Sequence, residues 1–444
     1  MRLESVAALR TLPPRTRVVM AANLVSSVGT GLVQPFLVLY LTRVRGLPVG
    51  TATAVISVIA VASLVGGPVA GRLADGFGIR PTAAAAMATA AVGTAGFALV
   101  TEVSGAVLAG LTYGLAYGAM LSVWNVVIAR STQGESRSAA FGLQFVALNV
   151  GVGLGGVLGG IFASTAEPGR FQLLYVCDGL SFLVAGALLV LALGGRRAPL
   201  PSDHDTVPEA GTGARGYGVV LRDRALLKVL ALTVALMVVG YGQLESSIPG
   251  LVAVRGMDAR VMAWAFVANT CCIVVIQAVA VTRISRTPPA ALLAVTATSW
   301  AGCWLLLLLA AAGAGTAVEA ALVIGALAVF AVGEALLAVA LPTLVNSLAP
   351  EVFRGRYNGA YSAAMSTGLV IGPLLGGALL GAERTWLLPV VLGLGCVGCA
   401  GCAVLLGRRS PRARPAARPA PEAYDTGGRE VPYRVEQLEG GEVR

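Results

Sequence analysis

The sequence predicts an all-α polytopic membrane protein with twelve transmembrane helices in two six-helix bundles. Three observations carry that expectation. The 444 residues are 56% hydrophobic and only 12% charged, with a mean hydropathy of +0.80, an apolar excess that a water-soluble globular chain does not have. The apolar residues form long continuous runs instead of the alternating segments of a β-barrel. The halves also repeat. A shift of 217 positions superposes Arg137, Gly142, Ala147, Gly151, Gly155, Leu158, Gly159 and Gly160 on Arg354, Gly359, Ala364, Gly368, Gly372, Leu375, Gly376 and Gly377, as parallel repeats would.

A hydrocarbon core roughly 30 Å thick asks for about 20 apolar residues per helix. Runs of that length fall near 18–41, 51–71, 82–101, 105–128, 138–163, 172–193, 226–251, 259–282, 289–312, 317–345, 357–381 and 385–406. Residues 1–17 form a basic N-terminal segment (Arg2, Arg10, Arg15, Arg17), and the run behind them is longer than the apolar core of a cleaved signal peptide. The expected organisation is an N-terminal bundle over 18–193, a central loop over 194–225 rich in Pro, Gly, Asp and Arg, a C-terminal bundle over 226–406 and a tail over 407–444. The Arg- and Pro-rich tail cannot build a core and is expected to be disordered against anionic headgroups.

Charge sets the orientation. If the N-terminus is cytoplasmic, the inner segments hold 26 of the 32 bases and the outer loops six, namely Arg43, Arg45, Arg170, Arg255, Arg260 and Arg384. That asymmetry follows the positive-inside rule, so both termini are expected in the cytoplasm, with the chain in the lipid bilayer of the bacterial cytoplasmic membrane. Because the net charge of +10 lies in loops and tails, no nucleic-acid partner is expected. The seven cysteines fall in apolar runs, and Cys396, Cys399 and Cys402 lie among Gly395, Gly398 and Gly401, which read as a packing face. His204 is the only histidine, in the central loop. No phosphate loop, metal cluster or nucleophile–histidine pair is visible, so neither an enzyme nor a cofactor is expected.

The most specific stretch is Gly71-Arg72-Leu73-Ala74-Asp75-Gly76-Phe77-Gly78-Ile79-Arg80, which reads as a polar loop whose Asp75 accepts backbone N–H groups or pairs with Arg80. It resembles the loop between helices 2 and 3 of the major facilitator superfamily of secondary transporters, keeping Gly71, Leu73, Ala74, Asp75, Gly78 and Arg80, with Gly76 and Ile79 where that family usually has bases. The resemblance implies alternating access between two halves, with Arg137 and Arg354 at the cytoplasmic starts of spans five and eleven and Asp75 as the natural partner of one of them. The repeated Gly-x-x-x-Gly-Pro-x-x-Gly-Gly is intact in span eleven (Gly368, Gly372, Pro373, Gly376, Gly377). In span five Gly156 stands in place of the proline beside Gly151, Gly155, Gly159 and Gly160. It resembles the span-five pattern of proton-driven exporters, and close helix packing alone also explains it. The arginine that many such exporters carry in span four is missing, and Gly114 stands at its place.

Ionisable residues inside a bilayer cost about 2.5–3.5 kcal/mol each on insertion scales, so each asks for a reason. Glu334 falls near the middle of span ten, Glu245 in the outer part of span seven and Asp178 in the outer part of span six. Desolvation disfavours the charged form of such a carboxyl, which suits it to load and release protons as access alternates. In the family, spans one, four, seven and ten line the cavity, which favours Glu245 and Glu334. The run Tyr175-Val176-Cys177-Asp178-Gly179-Leu180-Ser181-Phe182 resembles span six of the macrolide-efflux and siderophore-export branch. Tyr113, Tyr117, Asn149, Tyr241 and Asn269 near mid-membrane, with Gln34 and Gln243 further out, suit a bulky amphipathic or cationic solute. The expected function is proton-driven export of a small organic molecule (a drug, antibiotic or secondary metabolite) by a monomeric transporter. Uptake of a small nutrient is the first alternative. A non-transporting sensor or scaffold that signals through its tail is the second.

Overall fold

Glycines, prolines and charges interrupt the apolar runs, and helices begin and end at those interruptions. The computed structural model describes residues 13–131, 135–165, 167–194, 222–312, 316–350, 353–382 and 385–409. His204, most of the central loop, nearly all of the tail and the side chain of Arg137 lie outside what is described. Among the described residues twelve helical stretches follow in order: α1 (Pro14–Val44, with internal breaks), α2 (Val49–Phe77), α3 (Ile79–Phe97), α4 (Val103–Ser131), α5 (Glu135–Phe162) and α6 (Pro168–Ala192). The second half supplies α7 (Arg224–Val254, also broken), α8 (Ala259–Arg286), α9 (Pro289–Ala311), α10 (Thr316–Leu348), α11 (Arg354–Gly381) and α12 (Leu387–Arg409). Ten are long and apolar enough to cross a membrane, and α5 contributes the shorter apolar stretch Val146–Phe162. Alanine-rich α3 is less apolar and stands outside that set.

The stretch expected as a polar loop is mostly helix. α2 continues through Gly71 and Asp75 to Phe77, and the reversal is the single residue Gly78, whose φ of +89° only glycine adopts without strain. Asp75 and Arg80 are both exposed, and no ion pair between them forms among the described residues. The expected Asp75 turn is therefore corrected to a helix end with a one-residue hinge.

Packing reproduces the repeat at the level of single contacts. In α5, a Cβ at Gly151 would lie 2.5 Å from Ser27 Cβ, at Gly155 2.0 Å from the Val28 carbonyl and at Gly159 2.5 Å from the Leu32 carbonyl, all on α1 of the same half. In α11, Gly368, Gly372 and Gly376 press in the same order on α7, at Met237, Val238 and Ser247. The fourth glycine of each set turns to the other half: Gly160 meets Ala263 of α8, and Gly377 meets Thr53 of α2. Small residues let these helices approach where any side chain would hold them apart. Gly114 has the same reason to be glycine, since a Cβ there would lie 2.5 Å from the Ile59 carbonyl of α2. An arginine has no room at that point of α4.

The halves meet at one end of the molecule, the end bearing the α1–α2, α7–α8 and α11–α12 turns, called here the closed end. Ser57 of α2 donates to the Val370 carbonyl of α11 at 2.7 Å, and Arg43 donates to the Ala253 carbonyl of α7 at 3.3 Å. At the same end Arg255 pairs with Glu319 at 3.1 Å, joining the foot of α7 to the start of α10.

At the opposite end Asp223 caps α7, accepting from the backbone of Ala225 and Leu226 at 2.8 and 3.2 Å and from the Tyr357 hydroxyl of α11 at 2.7 Å. Slight burial works against its charge, but the Tyr357 phenol and the two backbone N–H groups outweigh that and hold the Asp223 carboxyl below its usual range. A depressed folded-state value stabilises above the unfolded pKa of about 3.9 and is lost as pH falls through the folded value. Asp223→Ala is expected to lower thermal stability in detergent by about 1–2 kcal/mol at pH 7, and by less near pH 3. Melting curves at the two pH values check it.

Candidate functional site

The site forms where the two first helices of the halves break. α1 tightens to a 3-10 turn at Gln34–Phe36, where Pro35 has no N–H to give. α7 stops at Val239, passes through Gly240 at φ −125° and ψ −89°, makes a 3-10 turn at Tyr241–Gln243 and resumes as helix at Ser247. A break inside a membrane leaves carbonyls that must find donors within the protein. The Val239 carbonyl receives Trp304 Nε1 at 2.9 Å and Cys396 Sγ at 3.7 Å. The Val238 carbonyl receives Gln243 Nε2 at 2.5 Å.

These partners explain the second correction. Gln243, expected to bind substrate, is fully buried. Its Nε2 donates to Val238 and, at 2.9 Å, to the Gly372 carbonyl, while its Oε1 accepts from Ser247 Oγ. It fastens the broken α7 to α11, and its amide is spent on those contacts.

The other polar residues converge. Gln34 Nε2 of α1 donates to Glu245 Oε2 of α7 at 2.6 Å, across the boundary between the halves. Asn269 Nδ2 of α8 donates to Glu334 Oε2 of α10 at 3.2 Å and to the Leu327 carbonyl at 3.4 Å. The Tyr241 hydroxyl, swung out by the α7 break, hydrogen-bonds Glu334. Tyr113 and Tyr117 of α4 lie side by side with ring centroids 6.1 Å apart, Tyr113 hydrogen-bonded to Thr30 of α1. Both phenols lie within electrostatic reach of the Glu245 carboxyl. A cavity of about 50 Å³ is lined by Gln34, Glu245, Thr94, Tyr113 and Tyr175, with Ile56 and Ile59 among its apolar wall.

Asn149 is half-buried on α5 and engaged in an interaction of its own. Asp178 stands apart from the boundary, fully buried inside the first half, where it accepts from Thr94 Oγ1 at 2.7 Å and Ser181 Oγ at 3.4 Å. Gly29 of α1 packs directly over it. Arg354 is exposed at the start of α11.

Among the described residues, the charges of this polar cluster are of one sign. Glu245 and Glu334 are both acids, and their partners are amides and phenols. Arg43 and Arg45 at the closed end are committed elsewhere, Arg43 to Ala253 and Arg45 to the Tyr40 hydroxyl at 2.6 Å and the Ala98 carbonyl. Such a site suits a solute with a positive centre and aromatic or aliphatic bulk. Sequence reasoning missed Thr94 and the two tryptophans, Trp304 on the broken end of α7 and Trp300, which donates to the Phe330 carbonyl and stacks on that ring at 4.9 Å. The run Gly240-Tyr241-Gly242 was the available signal for the break that Trp304 repairs.

Comparison with known proteins agrees with this architecture. A tetracycline resistance protein of class C from Escherichia coli is 31% identical over 157 residues, 34% of this chain and 38% of that protein. The MFS-type transporter YqjV of Bacillus subtilis is 25% identical over 244 residues, 55% of this chain and 58% of that one. The chain thus spans about two fifths to three fifths of the length of these relatives. Among solved structures, the nucleoside transporter NupG superposes with a TM-score of 0.72 at 12% identity, covering 90% of this chain and 100% of that one. An auto-inhibited POT family peptide transporter gives 0.71 at 16% identity, covering 92% and 99%. A bacterial homologue of the lysosomal transporter Spinster, inward-facing and unoccupied, gives 0.65 at 15%, covering 89% and 97%. At these identities the structures report the fold. The model of the Major Facilitator Superfamily matches residues 19–326 and 299–437, and the chain belongs to that superfamily of membrane transporters.

Proposed function

We propose that this protein is a secondary active exporter that exchanges protons for a small amphipathic organic cation by alternating access. The observation that carries the reading is the pair Glu245 and Glu334, set by the broken α7 and by α10 at the boundary of the halves, with amide and phenol partners. Each acid can hold either a proton or the positive centre of a substrate, and a group that cannot hold both at once couples their movements. The likeness to a tetracycline resistance protein over 157 residues supports export of a drug, antibiotic or secondary metabolite.

Gln34, Tyr113, Tyr117, Asn149, Tyr241 and Asn269 form the substrate-facing set in this reading. Asp178 fixes α6 against α3 and α1 and supports the first half. The six-helix units 18–193 and 226–406 rock about the boundary. The basic bias of the inner segments supports a reading with both termini in the cytoplasm of a bacterial cell and the closed end outside. The working unit is a monomer.

The test is accumulation of ethidium in cells carrying the protein, with and without a proton uncoupler. Lower accumulation that the uncoupler abolishes is the expected result. Higher accumulation in carrying cells points to uptake, and unchanged accumulation in every condition rules out broad cation export.

A further inference from the structure

The contacts of the repeated glycines set a register between the two first helices. Gly151 and Gly368 touch Leu24 and Val234, and Gly155 and Gly372 touch Val28 and Val238, each pair 210 residues apart; Gly31 and Gly242 follow at 211. On that register Gln34 falls opposite Leu244 and Glu245. Gln34 and Glu245 are thus near-equivalent positions of the two halves, meeting where the first helices cross, each beside the break in its own helix. One offers only an amide and the other a carboxylate.

We infer that the Gln34–Glu245 hydrogen bond is the interlock of exchange: a cationic substrate releases the closed end by displacing the Gln34 amide from Glu245, and a proton on Glu245 restores it. This deepens the exporter reading and rests on it. The unloaded carboxylate accepts from Gln34 Nε2, and the bond ties α1 to α7 next to the contacts that close that end. A substrate cation on Glu245 competes for the same oxygen. The positive centre then neutralises the acid and leaves the amide without its partner, so the tie across the halves is lost.

A proton acts differently. Once Glu245 takes one proton from the outer solution, its O–H donates to Gln34 Oε1 while its carbonyl oxygen still accepts from Gln34 Nε2. That neutral acid–amide pair needs no counter-charge and holds the halves together. The proton leaves to the cytoplasmic side when the next cation arrives. Opening therefore requires substrate, and a proton that takes the place of the released cation on Glu245 lets the tie to Gln34 form again. The titratable groups facing Glu245 are Tyr113 and Tyr117 of α4, Tyr241 of α7 and Glu334 of α10. Among the described residues the α1 hydrogen bond to it is that of the Gln34 amide, and none of these groups is a base that would compete with a cation for the carboxylate.

A hydrogen bond to a charged group shifts an equilibrium by roughly ten- to a hundredfold. The experiment is hydrogen–deuterium exchange of the full-length purified protein, read over the closed-end segments Val49–Ser57 of α2 and Ser247–Val254 of α7. Gln34→Ala is expected to raise exchange there about tenfold without any ligand at neutral pH. Gln34→Met, which keeps the bulk and removes the donor, is expected to match it, and this separates loss of the tie from a packing defect. Ethidium is expected to raise exchange in the wild type and to leave Glu245→Gln unchanged. If both Gln34 variants exchange like the wild type, or if ethidium leaves the wild type unaltered, the interlock is overturned. Uncoupler-sensitive export would then stand or fall on its own measurement.

Discussion

Glu334→Gln is expected to reduce proton-driven export by about ten- to a hundredfold, because a charged hydrogen-bonding group contributes roughly 1.5–3 kcal/mol. The substitution keeps the shape of the side chain and an oxygen to accept from Asn269 and Tyr241, so folding should be unaffected. What it removes is the negative charge and the exchangeable proton. Glu245→Gln removes the same properties on α7 and is expected to cost as much. The split between the two acids lies in conformation. Glu245 faces the other half through Gln34, so its amide variant should favour the closed end. Glu334 is held by partners of its own half, so its variant should leave that equilibrium alone. Inverted vesicles loaded by an imposed pH gradient report transport, with dye counterflow as the control that does not need a proton. If both single variants keep gradient-driven transport at the wild-type rate, neither acid carries the proton.

Much of this arrangement was legible in the sequence, and the rest was hidden for reasons that particular residues make clear. The twelve apolar runs emerge as helices because span length is set by bilayer thickness and composition alone. The repeated glycines were legible too, since four-residue spacing places Gly151, Gly155 and Gly159 on one face, and all three press on α1. Direction was not legible. Gln243 and Gln34 are both glutamines near a helix break, yet one spends its amide on Val238 and Gly372 while the other reaches Glu245 of the other half. Depth in the membrane does not say which way a side chain points. The Gly71–Arg80 stretch was read as a loop because Gly, Asp and Arg punctuate chains. Gly71 to Phe77 sit instead on the last turns of α2 and Ile79 and Arg80 on the first turn of α3, with the reversal left to Gly78. The break in α7 left only Gly240 and Gly242 as its mark, and its cost is met by Trp304 and Cys396, residues far off in sequence.

Closing one end of the molecule draws on glycines that face the opposite half, Gly160 and Gly377 among them, and substitution there is expected to separate folding from function. A Cβ at Gly160 would fall 1.8 Å from Ala263 Cβ and 3.2 Å from its Cα, so even Gly160→Ala must push α5 and α8 apart. Overpacking costs typically 1–3 kcal/mol. Charged to the closed form alone, that shifts the equilibrium about ten- to a hundredfold toward opening of this end. Gly377 differs. Its nearest neighbour is Thr53 Oγ1 at 1.9 Å, a side-chain atom that can rotate away, with Gly50 Cα behind it at 3.1 Å. Gly377→Ala should therefore be milder, and Gly377→Leu should match Gly160→Ala. Gly155 supplies the contrast within one half, since a Cβ there would lie 2.0 Å from the Val28 carbonyl of α1. Gly155→Ala should lower thermal stability and yield, because backbone cannot rotate aside. The cross-half variants should instead fold with a near-native melting temperature, lose transport and show raised hydrogen exchange over Val49–Ser57. If Gly160→Ala transports at the wild-type rate with unchanged exchange, the α5–α8 contact is not one the protein must re-form in each cycle, and the closed end is held by α1, α2, α7 and α11 alone.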